Sequence, residues 1–388
     1  MATYSLNCFA CQNTLASPIT LSCGYTVCQS CLPPTEDEVN CFVCPVSDCK
    51  REKHLFGPSV NEDQVIESLL VQEGVRNSMM CSIGQRHLLD HPVTNHCGHT
   101  FCKLCLLQQK IMTNSCPICQ KRLPSYQFIQ AQPVTFLINR VLLERYPADQ
   151  SQKSWLPPST SPSGTEIPIN LLDFPLLPSQ ILRIPMRTLQ NQVILRNHLL
   201  VCPETQSLQL AVLYKFKASV GTIAKITSVE QRENGTLITI VGMDRFAVLK
   251  IKQTTEDHVV AEIERKFEQT ESEHTTDDLS SVKLATRIHS FFIHLAQSAP
   301  SRSFSNHVQG LLGPVWLDSV QTMYGPLPSP EDPVGLCWWS AAVLPVGNHE
   351  RHVLLETNGL MDRLGLILLW IQDLESQWTG RREAEESE

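Results

Sequence analysis

Residues 97–119 read CGHTFCKLCLLQQKIMTNSCPIC. Cys97 and His99 open the stretch, Cys102 and Cys105 follow as a pair, and Cys116 and Cys119 close it. Thiolate and imidazole are the donors zinc prefers, and two ligands separated by two residues wrap the chain around one side of the ion. Free cysteines of a hydrophobic core scatter along a sequence and do not gather into three close pairs. The stretch is a zinc-binding motif, and the rest of the chain is read outward from it.

Toward the N-terminus the same order recurs: Cys8 with Cys11, then Cys23, then Cys28 with Cys31, then Cys41, Cys44 and Cys49. This repetition marks an internal duplication of one zinc module. Of the 16 cysteines, only Cys202 and Cys337 lie beyond Cys119. That segregation, with CxxC pairs and no basic-then-apolar leader in MATYSLNCFACQ, points to metal binding in a reducing compartment, so a cytoplasmic or nuclear location is expected. The apolar run Leu364 to Ile371 is too short to span a bilayer, so no membrane partner is expected. A net charge of −8 and a pI near 5.9 disfavour a nucleic-acid surface. The 388 residues leave room for about two or three domains.

The succession C-x2-C, C-x-H-x2-C-x2-C and C-P-x2-C resembles the RING finger, a cross-brace module in which ligands one, two, five and six hold one zinc and the remaining four hold another. For the first module the resemblance implies one complete site of Cys8, Cys11, Cys28 and Cys31. The other would use Cys23, Cys44 and Cys49, but Tyr25 stands where histidine is expected, and a phenol with pKa near 10 is a poor zinc ligand. Cys41 is the favoured replacement and His54 a weaker one; alternatively Cys41 and Cys44 form the final pair and Cys49 is spare. In the second module Cys97, His99, Cys116 and Cys119 are complete, whereas Cys81, Cys102 and Cys105 lack a fourth ligand because Gly84 replaces cysteine, leaving His87 as the candidate substitute. An open catalytic zinc would need a general base beside it, and none is evident, so structural zinc is the expectation.

The resemblance implies a RING-type ubiquitin ligase, with a ubiquitin-conjugating enzyme and ubiquitin as partners and no covalent intermediate. The implied apolar groove comprises Ile83, Pro117, and Leu106 or Leu107. Gln120 occupies the position after the last ligand where many members carry a basic residue, with Lys121 and Arg122 following. The competing reading is a non-catalytic adaptor with degenerate zinc modules.

Between and after the modules, residues 61–74 and 134–145 carry apolar residues at helical spacing and are expected to be helical spacers that pack on the zinc modules. Residues 147–165 are rich in Pro and Ser and read as a linker that includes Trp155. From residue 166 short β-branched runs follow: QLAVLYKF, GTIAKITSVE, TLITIVG and RFAVLKIK. Glu233-Asn234-Gly235 signals a tight hairpin, while Asp244, Arg245 and Phe246 read as a strand start after a glycine turn. Helices are expected over 279–299 and 360–377, and Cys337, Trp338 and Trp339 as buried core rather than a reactive site.

The string VGTIAKITSVEQRENGTLITIVGMDRFAVLKI resembles the N-terminal substrate-recognition domain of Lon proteases, and GLCWWSAAVLP with its helical tail is similar to the version fused to RING fingers. The opening segment IPINLLDFPLLPSQILRIPMRT keeps strand character but lacks the Phe-Glu-Pro-Arg-Tyr motif usual there. This Lon-N-terminal-domain-and-RING-finger resemblance implies that a protein substrate is held by the second half. No GxxxxGK[ST] loop and no segment resembling the Lon serine–lysine protease domain is present, so neither ATP hydrolysis nor proteolysis is expected. The expected architecture is α+β and multidomain: RING-like modules at 1–60 and 81–122, helical segments at 61–80 and 123–146, and a β-rich, PUA-like Lon-type domain with a helical end at 166–380.

Overall fold

The computed structural model describes residues 6–33, 41–49, 54–55, 61–71, 75–84, 89–146, 165–185, 199–202, 205–214, 218–232, 235–255, 258–266, 276–297 and 314–385. The linker reading at 147–165, with Trp155, falls almost wholly outside them, as do Gly74 and His87.

Each zinc module is built on a short hairpin. In the first, β1 (Pro18–Thr20) pairs antiparallel with β2 (Thr26–Cys28); in the second, β5 (Pro92–Thr94) pairs with β6 (Thr100–Cys102). The registers match: Thr20 faces Thr26 as Thr94 faces Thr100. Each turn is closed by a glycine in the left-handed region, Gly24 at φ 86° and Gly98 at φ 79°. After β2 the first module makes a single 3-10 turn, Gln29–Cys31, whereas after β6 the second builds the helix α3 (Lys103–Met112).

The duplication extends further than the cysteines reveal. Helix α1 (Gln64–Val71) follows the first module, then the one-turn α2 (Val75–Ser78). Helices α4 (Tyr126–Ala131) and α5 (Phe136–Arg145) follow the second. Buried Val65, Ile66 and Leu69 of α1 stand where α5 has buried Leu137, Ile138 and Val141. The two helix starts are held alike. The N–H of Asp63 donates to Pro18 O at 2.7 Å, and that of Thr135 to Pro92 O at 2.7 Å. One residue on, each helix reaches the opposite module: Gln64 N–H donates to Gly98 O at 3.1 Å, and Phe136 N–H to Gly24 O at 3.0 Å. These helices pack on the zinc modules, as expected, but each bonds both modules, so together they form a reciprocal clamp rather than spacers. Spacing alone showed their apolar faces but not that each helix would reach the opposite module.

Asp63 caps α1, its Oδ1 accepting from the N–H groups of Val65 and Ile66 at 3.1 Å each. An N-terminal carboxylate satisfies donors that the helix itself leaves unpaired. Its Oδ2 accepts from Thr20 at 2.6 Å and from Thr94 at 2.9 Å, so one fully buried side chain bridges both hairpins. Burial pushes its carboxyl pKa up, opposed by the hydrogen bonds from Thr20, Ile66, Thr94 and Val65.

The second half opens with a closed β-barrel. Strands β7 (Thr165–Leu172), β10 (Ser207–Tyr214), β11 (Val220–Arg232), β12 (Gly235–Thr255) and β13 (His258–Lys266) run in the order β11-β10-β7-β13-β12, and β12 returns to pair with β11. Among the described strands only β7 and β10 are parallel neighbours. β8 (Ile181–Pro185) lies on β12, and β9 (Leu200–Cys202) on β10. Arg232 faces Gly235 across the β11–β12 hairpin, whose turn residues Glu233 and Asn234 lie outside the described residues. TLITIVG and RFAVLKIK, expected as two strands, are the single 21-residue β12. Gly242 is no turn: a Cβ there would lie 2.1 Å from Leu177 O, so glycine lets the 177–180 segment approach the strand. That segment bonds Gly242 through Ser179 N–H at 2.8 Å and Gln180 O at 3.0 Å.

Helices α6 (Thr276–Gln297), α7 (Pro314–Tyr324), α8 (Pro333–Val343), α9 (Asn348–Glu356) and α10 (Leu360–Glu385) form the helical end. Ile288 and Phe292 of α6, Cys337 and Trp338 of α8, and Leu364 and Ile371 of α10 share its core. Helices α7 and α9 carry no signal strong enough to be read from the sequence; α9 in particular has only Leu354 and Leu355 buried. Arg245 lies mid-strand in β12, not at a strand start. It is buried, donates to Leu355 O and Thr357 O at 2.8 Å each, and its guanidinium sits 5.4 Å from the Trp338 ring centre. Arg363 covers the same ring at 4.8 Å. Arg245 thus ties barrel to helices. No described helix is long and apolar enough to cross a membrane.

Strand β10 explains how the two halves join. Ala211 and Leu213 face the barrel interior with Ile223, Phe246 and Ala261. Leu208, Leu210 and Val212 face the other way, into a core continuous with the zinc modules. A strand buried on both faces reads as an unbroken apolar run, as QLAVLY does. Helix α3 packs on β10 and α4 on β11, and the Gln130 side-chain amide donates to Gln206 O at 3.0 Å.

Candidate functional site

Among the described residues, three groups of four donors and one of three lie with their ligand atoms all within 4.8 Å of one another: Cys8, Cys11, Cys28 and Cys31; Cys23, Cys44, Cys49 and His54; Cys97, His99, Cys116 and Cys119; and Cys81, Cys102 and Cys105. A tetrahedron with zinc–sulfur arms of about 2.3 Å has edges of roughly 3.8 Å. The Sγ atoms of Cys8 and Cys31 are 3.8 Å apart, and Cys116 Sγ lies 3.7 Å from His99 Nδ1. The donor sets and their spacing fit zinc.

Backbone amides prepare several sulfurs. Cys8 Sγ accepts from the N–H groups of Cys28, Ala10 and Cys11 at 3.3, 3.4 and 3.5 Å. Burial opposes ionisation of Cys8, yet these amides hold its thiol down at about 7. Burial pushes Cys23, Cys31 and Cys97 up to about 12. Protons held by such thiols at neutral pH must leave when metal arrives, so zinc retention strengthens as pH rises and weakens as it falls. Chelator competition at pH 8, 7 and 6 should show the apparent affinity falling at least about tenfold per unit, as displacement of one or more protons per ion requires.

The second site of the first module takes His54, ranked below Cys41 in the sequence reading; the side chain of Cys41 lies outside the described residues. The hairpin of β3 (Cys41–Phe42) and β4 (His54–Leu55) places Phe42 opposite His54 and brings the imidazole to the cluster. His54 Nε2 is 3.3 Å from Cys49 Sγ, while Nδ1 is 2.9 Å from Ser22 Oγ, which orients the ring. Cys49 belongs to this group and is not spare. The available signal was composition: His54 gives this site three thiols and one imidazole, the same set as Cys97, His99, Cys116 and Cys119. Tyr25, at the expected histidine position, stacks between Phe9 at 4.9 Å and Phe136 at 4.7 Å and serves packing.

The proposed groove is only partly where the resemblance puts it. Ile83 and Pro117 are half-buried and Ile118 is 52% exposed, so each of the three reaches solvent. Leu106 and Leu107 are each 0% exposed, which removes them as groove residues. They belong to α3, which packs against β10 and α4, and lie in the core that the zinc modules share with the barrel. The half-buried α3 residue beside the Cys116 loop is Gln109, whose amide donates to Ser115 O at 3.4 Å.

Comparison with known proteins follows this division. Residues 166–373 match the ATP-dependent protease La (LON) substrate-binding domain, and residues 81–117 match the RING-type zinc finger. A LON peptidase N-terminal domain and RING finger protein from Schizosaccharomyces pombe is 24% identical over 347 residues, covering 80% of this chain. The chain spans 65% of that relative's length. Two solved structures are similar: a Lon N-terminal domain protein from Xanthomonas campestris, at 20% identity, 53% of this chain, 98% of that chain and TM-score 0.34; and the N-terminal domain of a Mycobacterium avium complex Lon protease, at 18% identity, 54% of this chain, 98% of that chain and TM-score 0.36. With more than half its length accounted for by the first match, the chain belongs to the Lon substrate-binding-domain family, here joined to a RING-type zinc finger at residues 81–117.

Proposed function

We propose that the protein is a RING-type ubiquitin ligase in which the second zinc module docks a ubiquitin-conjugating enzyme and the barrel with its helical end holds a protein substrate. The observation that carries this reading is that Ile83, Pro117 and Ile118, on the two ligand-bearing loops of the second module, each reach solvent while its helix α3 is packed against the Lon-type barrel. The zinc-binding groups fix the two loops that carry the rim, and catalysis would then be proximity: the charged conjugating enzyme is held over a bound substrate. Among the described residues the first module has only the turn Gln29–Cys31 where the second has α3, which favours the second as the docking unit.

An autoubiquitination assay across a panel of conjugating enzymes tests the proposal. Ile83→Ala should lower product formation about tenfold with zinc content unchanged, since truncating an apolar anchor costs on the order of 1–2 kcal/mol of docking. His99→Ala should abolish it and lower zinc content by at least one ion. Product formation insensitive to both changes, or absent with every conjugating enzyme, would leave the adaptor reading in its place.

A further inference from the structure

We propose that the site of Cys23, Cys44, Cys49 and His54 and the site of Cys97, His99, Cys116 and Cys119 gain and lose zinc as one unit, with Asp63 and Thr94 as the positioning residues that link them. This rests on reading the four donor groups as zinc sites.

The two sites sit at equivalent places. Cys23 and Cys97 immediately precede the left-handed glycines of the two hairpin turns. Each turn is pressed against the start of the helix that follows the other module. A Cβ on Gly24 would meet Val134 O at 2.2 Å, and one on Gly98 would meet Glu62 O at 2.0 Å. The second turn is further held by Asn61, whose side-chain amide donates to His96 O at 3.3 Å. The first is held by Phe136, whose ring lies 4.7 Å from Tyr25.

The connection closes on itself. The first hairpin binds Asp63 through Pro18 O and the Thr20 hydroxyl, and α1, which Asp63 caps, binds the second turn through Gln64 and Gly98. The second hairpin binds Thr135 through Pro92 O, and α5 binds the first turn through Phe136 and Gly24. At the centre the Thr94 hydroxyl touches Asp63 Oδ2 at 2.9 Å, Thr100 at 2.8 Å and Thr135 at 2.9 Å. These contacts are buried, so neither hairpin can loosen without leaving polar groups of the other unpaired. The site of Cys8, Cys11, Cys28 and Cys31 sits at the open end of the first hairpin, where Cys28 faces Pro18, away from the turn that meets α5, and none of its four cysteines makes the bonds just described. It should empty independently.

The test is a chelator time course on the full chain, with free thiols alkylated at intervals and located by peptide mass spectrometry. Native mass spectrometry gives the starting zinc count. In the wild type, Cys44 with Cys49 and Cys116 with Cys119 should become reactive with one shared rate constant, while Cys8 and Cys11 follow another. Cys116→Ser should speed exposure of Cys44 and Cys49 at least tenfold. Thr94→Val, which leaves every ligand in place, should split the shared rate into two, and Thr94→Ser should restore it. Separate rates for the two sites in the wild type, or a shared rate that survives Thr94→Val, would overturn the coupling. A chain isolated without zinc would instead sink the metal reading on which it rests. The wild-type time course is decisive even if a variant fails to fold.

Discussion

Gly98→Ala should destabilise the zinc-module half by roughly 3 kcal/mol, far beyond an ordinary glycine-to-alanine change. Two costs add. Gly98 has φ 79°, and a left-handed backbone costs a residue with a Cβ about 1–2 kcal/mol. The new methyl would also lie 2.0 Å from Glu62 O, an atom of the backbone that cannot swing aside, and forced overpacking costs about 1–3 kcal/mol. Gly325→Ala is the matched control: its φ is 85°, but nothing stands within 4 Å of the added carbon, so strain alone applies. Urea unfolding, followed by the reactivity of Cys116 and Cys119, should show a large midpoint shift for the first variant and a shift of no more than the strain alone, about 1–2 kcal/mol, for the second. Equal shifts would mean that the α1 start does not press on the Gly98 turn in solution.

Much of this architecture was legible because zinc ligands are chemically particular. Cysteine pairs at fixed spacing can be recognised without knowing what covers them, and three of the four donor groups follow directly from their order. The fourth stays open between Cys41 and His54 in the sequence because the imidazole arrives by a hairpin, β3 with β4, whose pairing no local pattern announces. The clamp was illegible for a related reason. Asp63 looks like any N-terminal cap in the sequence, and its bonds to Thr20 and Thr94 depend on two hairpins meeting. Gly242 misled in the opposite sense: glycine before a charged residue imitates a turn, whereas here it marks a close backbone approach inside a long strand. In each case the local residue type was read correctly, and the error lay in what it would touch.

Leu106 carries the same lesson into a measurable contrast with Ile83. Sequence position after Cys105 suggested a groove residue, yet Leu106 is fully buried, in the core that zinc modules and barrel share. Leu106→Ala should cost about 2–5 kcal/mol of stability, as truncations of well-packed core leucines do. The loss falls on α3, the element that joins the second module to β10, so amide hydrogen exchange should rise in residues 103–112 and 207–214 together. Ile83→Ala, at a half-buried rim position, should leave exchange in both segments nearly unchanged. If the docking proposal holds, the same two variants separate in function as well. Ile83→Ala weakens binding of the conjugating enzyme in the folded protein, whereas Leu106→Ala, assayed at a temperature where the chain stays folded, keeps that binding and loses stability. A Leu106→Ala protein that is as stable as wild type but no longer binds would return Leu106 to the groove and show that the barrel does not cover α3 in solution. The contrast therefore tests the joint between the two halves as well as the identity of the docking rim.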